Sequence, residues 1–266
     1  MRVAALQFDV RRDAIAENQA VVRAGLERAA ADGISLVLLP ELWPGSFPRG
    51  DMEPWLEPNQ RAVEELAAWS AELGLVVAGS ALAPGAPGEK PRNRMHVHDR
   101  GREVIAYDKV HLFSPTGETL SFSAGTEPPA TVETSLGRIG AVICYDLRFG
   151  PLTRRCFLDG AEILLCPAQW PVTRQSHWRA LVCGRAVENQ CFVVAANRTG
   201  TELLGKQREL EFPGNSLVCD PGGTPLAEGH GEAGLVSAEI DLELARALRK
   251  RVPIARDQRD ELYRSW

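Results

Sequence analysis

Three apolar runs in this chain end in a residue that can move a proton, carry a charge or attack a carbonyl. Leu36-Val37-Leu38-Leu39 leads to Pro40-Glu41, the extended stretch 102–108 leads to Lys109, and Ile139 to Ile143 leads to Cys144-Tyr145-Asp146. In open α/β sheets ligands bind beyond the carboxyl ends of strands, where loops converge on a polar crevice. Glu41, Lys109 and Cys144 would therefore supply a proton carrier, a cation and a nucleophile. A free thiol has a pKa of ~8.5 and is only a few per cent thiolate at neutral pH. A neighbouring carboxylate can take its proton and return it to a leaving amine. An ammonium can favour the thiolate and then face the oxyanion of a tetrahedral intermediate, where one donor is worth about 3–4 kcal/mol. Taken singly, Glu41 reads as a loop or cap residue and Lys109 as a solvated charge. Together they describe acyl transfer that needs no histidine.

The elements that must position this trio follow from periodicity. Val22, Gly25, Leu26, Ala29 and Ala30 fall on one helical face, and Gly33 stops the helix before the strand 36–39. Val63, Leu66, Ala67 and Ser70 repeat the pattern, with Gly74 as the stop before strand 75–79. Extended pairs are expected at 93–99 with 102–108 and at 131–134 with 139–144. Strands at 161–166 and 191–196 then alternate with helices near 151–159 and 175–189. Extended runs at 215–219 and 234–240 precede a charged helix near 241–250. Runs apolar at every position are expected of strands covered on both faces. Two β-α-β-rich halves joined by hairpins imply an α/β fold, a four-layer α-β-β-α sandwich in one domain over 1–266. The residues from Ile254 to Trp266 are expected as a tail that docks on a neighbouring subunit.

Composition narrows the function classes. The chain has 266 residues, 30 Lys and Arg against 35 Asp and Glu, and a net charge of −5. That balance argues against a nucleic-acid binder, which carries a basic face, and no apolar run approaches the ~20 residues of a membrane span. The start Met1 to Phe8 is too short and strand-like for a secretory signal, so a cytoplasmic location is expected. The six cysteines lie in the second half with no C-x-x-C spacing, which fits small buried hydrophobes rather than disulfides or zinc ligands. His96-Val97-His98 suits one face of a strand. Neither a metal nor an organic cofactor is expected.

Leu38-Leu39-Pro40-Glu41, Tyr107-Asp108-Lys109-Val110-His111-Leu112-Phe113 and Cys144-Tyr145-Asp146-Leu147-Arg148-Phe149 resemble, in order, the three signature motifs of the nitrilase superfamily of carbon–nitrogen hydrolases. The resemblance runs from Val3 to at least Ile240. It implies the α-β-β-α fold, a Glu-Lys-Cys triad at Glu41, Lys109 and Cys144, and a second glutamate at Glu118, seven residues before Gly125. The cysteine motif resembles the amidase branch that includes omega-amidases and deaminated glutathione amidases. Ala168 to Trp178, Arg185 to Gln190 and Ala196 to Gly200 are similar to the same branch, while Gly150 departs from the proline usual after Arg-Phe. Such relatives pair subunits through the helices near 151–159 and 175–189, so a homodimer or larger homo-oligomer is expected.

The implied reaction is two-step hydrolysis of a small amide substrate, with a thioester on Cys144, an oxyanion held by Lys109 and the Tyr145 N–H, and water activated by Glu41 and placed by Glu118. An omega-amidase substrate carries a carboxylate far from its amide, and Arg174 can grip it through two parallel hydrogen bonds. Trp170 would wall the pocket, Arg148 and Asp146 would support the nucleophile turn, and His111 and His177 would make buried hydrogen bonds. Glu188 reads as a helix-end ion pair. The same trio is compatible with N-carbamoyl amides, deaminated glutathione or a nitrile. A catalytically silent binding module would have no chemical need for all three residues, and a redox or metal role is opposed by the cysteine spacing.

Overall fold

The computed structural model describes residues 1–204 and 208–263. Arg2–Gln7 (β1), Ile34–Leu38 (β2) and Val76–Ala83 (β3) alternate with helices Ile15–Ala31 (α1) and Glu53–Leu73 (α2). Parallel neighbours need such crossovers, and β1, β2 and β3 pair in parallel. Arg92–Asp99 (β4) and Arg102–Asp108 (β5) continue as an antiparallel hairpin, followed by the single turn Glu118–Ser121 (α3). The second half repeats the plan. Thr131–Thr134 (β6) and Gly137–Ala141 (β7) lead through Gly150–Leu158 (α4) to Ile163–Ala168 (β8), then through Gln175–Asn189 (α5) to Phe192–Asn197 (β9). Thr199–Leu204 (β10) and Arg208–Pro213 (β11) form a separate hairpin. Leu217–Cys219 (β12), Pro225–Glu228 (β13) and Gly234–Glu239 (β14) precede Leu242–Arg251 (α6) and two single turns, Ile254–Asp257 (α7) and Asp260–Tyr263 (α8).

Two six-stranded sheets result, ordered β14-β1-β2-β3-β4-β5 and β13-β12-β9-β8-β7-β6. Their facing sides interlock as one core, in which Leu36, Leu38, Met95 and Val97 of the first sheet meet Ile139, Leu165 and Val194 of the second. Full burial of such a side chain contributes about 1.5–3 kcal/mol. On the outer side of the first sheet, Leu6, Val37 and Val77 pack against Val22, Leu26 and Leu66 of α1 and α2. Trp178, Val182 and Ala186 of α5 cover the second sheet. Helix, sheet, sheet, helix is the expected sandwich.

The structure also departs from the sequence expectation. Helix α2 begins at Glu53, ten residues before the periodic stretch that starts at Val63, and its buried stripe is Asn59, Ala62, Leu66 and Ser70. Pro54 is tolerated because first-turn amides have no intrahelical acceptor, so a residue that reads as a breaker lies inside the first turn. Strand β2 starts at Ile34 rather than Leu36, and β12 begins at Leu217 rather than residue 215. The hairpin β10–β11 and the edge strand β13 carry no apolar alternation strong enough to have announced them. Most of residues 254–263 are exposed, and 264–266 of the expected tail lie outside the described residues. Among the described residues no helix is long and apolar enough to cross a membrane.

A buried guanidinium fastens β10 to the sandwich. Arg198, 1% exposed, donates to Asp9 at 2.8 Å, to Gln169 Oε1 at 3.1 Å, and to Glu202. Arg12 and Ser46 Oγ also contact Glu202, so removing Arg198 leaves that carboxylate those two partners. Substituting Arg198→Met should therefore cost about 1.5–3 kcal/mol, the worth of hydrogen bonds to charged groups. Urea unfolding reads this directly, and an unchanged midpoint would mean that other contacts hold the hairpin.

Candidate active site

Glu41 follows β2 on a turn that continues the sheet for one more bond, from Leu39 N–H to Ala78 O at 2.7 Å. Its carboxylate is fully buried. Oε1 accepts from Lys109 Nζ at 2.7 Å and Asn93 Nδ2 at 2.8 Å, and Oε2 accepts from the Gln169 N–H at 2.9 Å. An ionised carboxylate offers about four acceptor sites. Three are occupied by donors that never leave, and one on Oε2 remains for a proton.

Lys109 is held at both backbone atoms, its N–H on Asn93 O at 2.9 Å and its carbonyl on the Gly125 N–H at 2.8 Å. A Cβ at Gly125 would lie 2.2 Å from Asp108 O, so only glycine lets the two segments approach this closely. The ammonium, 1% exposed, donates to both Glu118 oxygens at 2.8 and 2.9 Å as well as to Glu41. Burial alone would lower the Lys109 pKa, but Glu118 and Glu41 outweigh it and hold it well above the ordinary lysine value. The Glu118 pKa is raised as well, by burial against the pull of Lys109. Its Oε2 also accepts from the Phe113 N–H at 2.5 Å.

Cys144 opens a 3-10 turn, Cys144–Arg148, just beyond β7. Its φ is 45°, in the left-handed region where a non-glycine residue stores about 1–3 kcal/mol of strain. Asp146 holds the turn in that shape. Its Oδ1 accepts from the His111 N–H at 2.8 Å and lies 2.9 Å from His111 Nδ1, and its Oδ2 accepts from Tyr107 Oη at 2.8 Å and the Ile143 N–H at 3.2 Å. Arg185 clamps the far end through the carbonyls of Leu147 at 2.9 Å and Arg148 at 3.0 Å. Burial first, then the Glu41 charge, pushes the Cys144 thiol well above its usual pKa, against Lys109 and a hydrogen bond from the Gln169 backbone. The resting group is a neutral thiol.

Glu41, Lys109, Glu118 and Cys144 line one cavity of about 340 Å³, with Tyr145, Trp170 and Arg174 on its walls. All seven sequence-predicted site residues thus reach the same space, which is of the size that takes a small organic molecule. Trp170 also packs into the core, its ring 5.3 Å from that of Trp178 and its Nε1 donating to Arg174 O at 2.8 Å. Arg174 lies 5.3 Å over the Phe113 ring.

Two supporting roles differ from expectation. Arg148 does not pair with Asp146; its guanidinium stacks 4.9 Å over Trp170 and lines the cavity, and Arg185 supports the turn instead. His177 is exposed rather than buried and lies 3.2 Å from Arg148 through Nδ1. His111 is half-buried on Asp146, and Glu188 makes its helix-end pair with Arg185 at 2.5 Å. No motif or periodicity marks Asn93 or Gln169 as partners of Glu41. Both sit at strand ends on the inner face, which was the available signal, but which carboxylate they meet depends on how the two sheets stack.

Residues 2–250 match the family described as Carbon-nitrogen hydrolase. The chain is 35% identical over 264 residues to the 2-oxoglutaramate amidase of Bacillus subtilis (strain 168), covering 98% of each. It is 32% identical over 255 residues to the deaminated glutathione amidase of Homo sapiens, covering 90% of this chain and 76% of that one. Its fold superposes with a TM-score of 0.87 on a mutant amidase from Nesterenkonia sp. AN1 that carries the acetamide moiety of fluoroacetamide covalently at its active-site cysteine. That match has 27% identity and covers 100% of this chain and 96% of that one.

Asn93 offers a test of how Glu41 is held. In Asn93→Ala the carboxylate loses one neutral donor while the Lys109 backbone bond to residue 93 survives. A hydrogen bond to a charged group is worth about 1.5–3 kcal/mol, so kcat for amide hydrolysis should fall by about 10–100-fold with little change in KM. An unchanged kcat would show that Lys109 and the Gln169 amide suffice.

Proposed function

Because the chain belongs to the carbon-nitrogen hydrolase family, we propose that it is an omega-amidase. It hydrolyses the terminal carboxamide of a small 2-oxo acid of the 2-oxoglutaramate type, with Glu41, Lys109 and Cys144 as its catalytic residues. One observation carries this reading. The buried trio shares its cavity with two guanidinium groups, Arg148 and Arg174, that have no carboxylate partner among the described residues. Of the other two arginines of the lining, Arg12 pairs with Glu202, and Arg49, also without a carboxylate among the described residues, is turned to the Leu203 carbonyl. A substrate with a carboxylate at one end and an amide at the other fits that distribution, the charge on the arginines and the amide at Cys144.

The cycle begins with the neutral thiol. The open acceptor site of Glu41 takes the proton of Cys144 as sulfur attacks the amide carbon, so the negative charge passes from Glu41 to the new oxyanion. Lys109 and the Tyr145 N–H receive that oxyanion. The amide is free for the purpose because first-turn N–H groups have no intrahelical acceptor. Protonated Glu41 returns its proton to the nitrogen, the C–N bond breaks, and ammonia leaves a thioester on Cys144. Water then gives a proton to Glu41 and its oxygen to the acyl carbon, and sulfur leaves with that proton as the acid departs. Atoms and charge balance with amide, water and thiol alone. Glu118 accepts from Lys109 through both oxygens and from the Phe113 amide through Oε2, so it positions the lysine and keeps one acceptor site on Oε1 for the water.

The relative named deaminated glutathione amidase makes a larger 2-oxo acid amide the second reading, because it needs the same trio and the same free cations. We further infer a homodimer through α4 and α5, whose Leu158 and Val187 are exposed apolar side chains, with the chain beyond Ile254 docking on the partner.

Ammonia release from 2-oxoglutaramate, 2-oxosuccinamate, deaminated glutathione and N-carbamoyl-β-alanine ranks the substrates, and the first two should be the fastest. Cys144→Ala should abolish turnover with the fold intact by circular dichroism. Intact mass of the wild-type enzyme should show an acyl adduct that the mutant lacks, and activity retained in the mutant would end the mechanism. Arg174→Met should raise KM for 2-oxoglutaramate by about 10–100-fold, from about 1.5–3 kcal/mol of lost charged hydrogen bonding. It should barely affect an uncharged amide, and an equal effect on both would remove Arg174 from carboxylate binding.

A further inference from the structure

Away from the cavity, the outer face of the first sheet carries a cluster of nitrogen and oxygen donors that the reaction does not use. Along β4, Met95 and Val97 enter the inter-sheet core, so His96 and His98 point to the opposite side, toward α2. Their rings are nearly parallel, 5° apart in plane and 6.2 Å between centroids. Glu103 stands opposite His98 in the β4–β5 register, beside a bulge between Val97 and His98, and its Oε1 lies 2.6 Å from His96 Nδ1. One donor atom from each of the three residues lies within 4.8 Å of the others.

His98 makes the cluster a site rather than a coincidence of side chains. It is 3% exposed, and neither ring nitrogen has a hydrogen-bond partner. A neutral imidazole has one N–H and one lone pair, and buried polar atoms in folded proteins are overwhelmingly partnered. The strand around it is well anchored, since the His98 carbonyl is 3.4 Å from Ser70 Oγ of α2 and Arg100 N–H bonds Leu75 O at 3.2 Å. The ring is therefore held in place without its partner.

We propose that His96, His98 and Glu103 form a binding site for a divalent first-row transition cation, with zinc as its natural occupant. Two imidazoles and one carboxylate are the donor types such ions select, whereas magnesium and calcium take oxygen ligands. Zinc holds its ligands at ~2.0–2.2 Å, with water commonly completing the tetrahedron beside three protein donors. The buried His98 is the fixed point. Glu103, with 45% of its side chain exposed, and His96, with 13%, bring their donors alongside it. The neighbouring cation on this face, Arg94, is already neutralised by Asp108 at 2.6 Å. A bound ion would clip β4 to β5. Those two strands carry Asn93 and lead to Lys109, so the site reinforces the hairpin that supports the catalytic lysine without touching substrate.

Titration with zinc alone, followed by NMR of histidine-labelled full-length protein, tests this. Of the five histidines, the ring signals of His96 and His98 should shift with one ion per chain. Free zinc at 100-fold excess over Kd should raise Tm by roughly 5–10 °C. Glu103→Gln, a surface change that leaves the fold alone, should weaken binding by at least roughly the 10–100-fold that losing even an outer-shell partner costs. His98→Phe should abolish it. The proposal is overturned if the His96 and His98 signals stay fixed as zinc saturates, if the shifts fall on His111, His177 or His230, or if Glu103→Gln binds as tightly as wild type. None of these readouts depends on amide hydrolysis, so a failure of the substrate assignment leaves the test intact.

Discussion

The ammonium of Lys109 is shared between two carboxylates in a place that water does not reach, and the arrangement of this molecule follows from that constraint. An ion taken out of water costs several kcal/mol unless its partners sit at hydrogen-bond distance. Three ions buried together are tolerable only if most of their lone pairs and protons have partners. Asn93, the Gln169 amide and the Phe113 amide are such partners, and each comes from a different segment of the chain. Loosening any of them leaves part of a charge unsolvated in the core, so the site and the fold around it stand or fall together.

The same constraint explains the state of the nucleophile. Cys144 is buried beside a carboxylate, and both effects keep its proton on sulfur. Reactivity then comes from geometry, not from a preformed thiolate. The thiol sits on a left-handed residue at the start of a short turn, and Asp146 and Arg185 tie down the two ends of that turn. Gly150, the departure from the family's pattern, lies just after it at the start of α4. It faces Arg185 and Glu188 at 3.5 and 3.7 Å from where a Cβ would be, so the clamp on the turn closes without a ring at that position.

The two free cations of the cavity acquire meaning from the same bookkeeping of charge. Arg148 and Arg174 lie over aromatic faces, which supply about 0.5–2 kcal/mol of cation–π attraction but no neutralising charge. Several other buried or half-buried guanidiniums have carboxylates, as Arg198 has Asp9 and Arg94 has Asp108. Two arginines without carboxylate partners among the described residues and a buried thiol thus line the same cavity.

Periodicity made the α-β-β-α sandwich legible from sequence alone, because a strand covered on both faces is apolar at every position and a covering helix is apolar on one stripe. The same local logic put Glu41, Lys109 and Cys144 at strand ends, where motif resemblance joined them with Glu118. The start of α2 was hidden because Pro54 in its first turn and Pro58 inside it both look like residues that break a helix. The hairpin β10–β11 was hidden because its strands serve neither sheet. What no local pattern contains is the stacking of one sheet on the other. Only that decides that Asn93 and Gln169 meet Glu41, just as only the packing of helices on the outer faces decides that Arg185 rather than Arg148 braces the turn and that His98 is buried without a partner. Which residues meet across two sheets depends on distances through the core, and those distances exist only once the chain has packed.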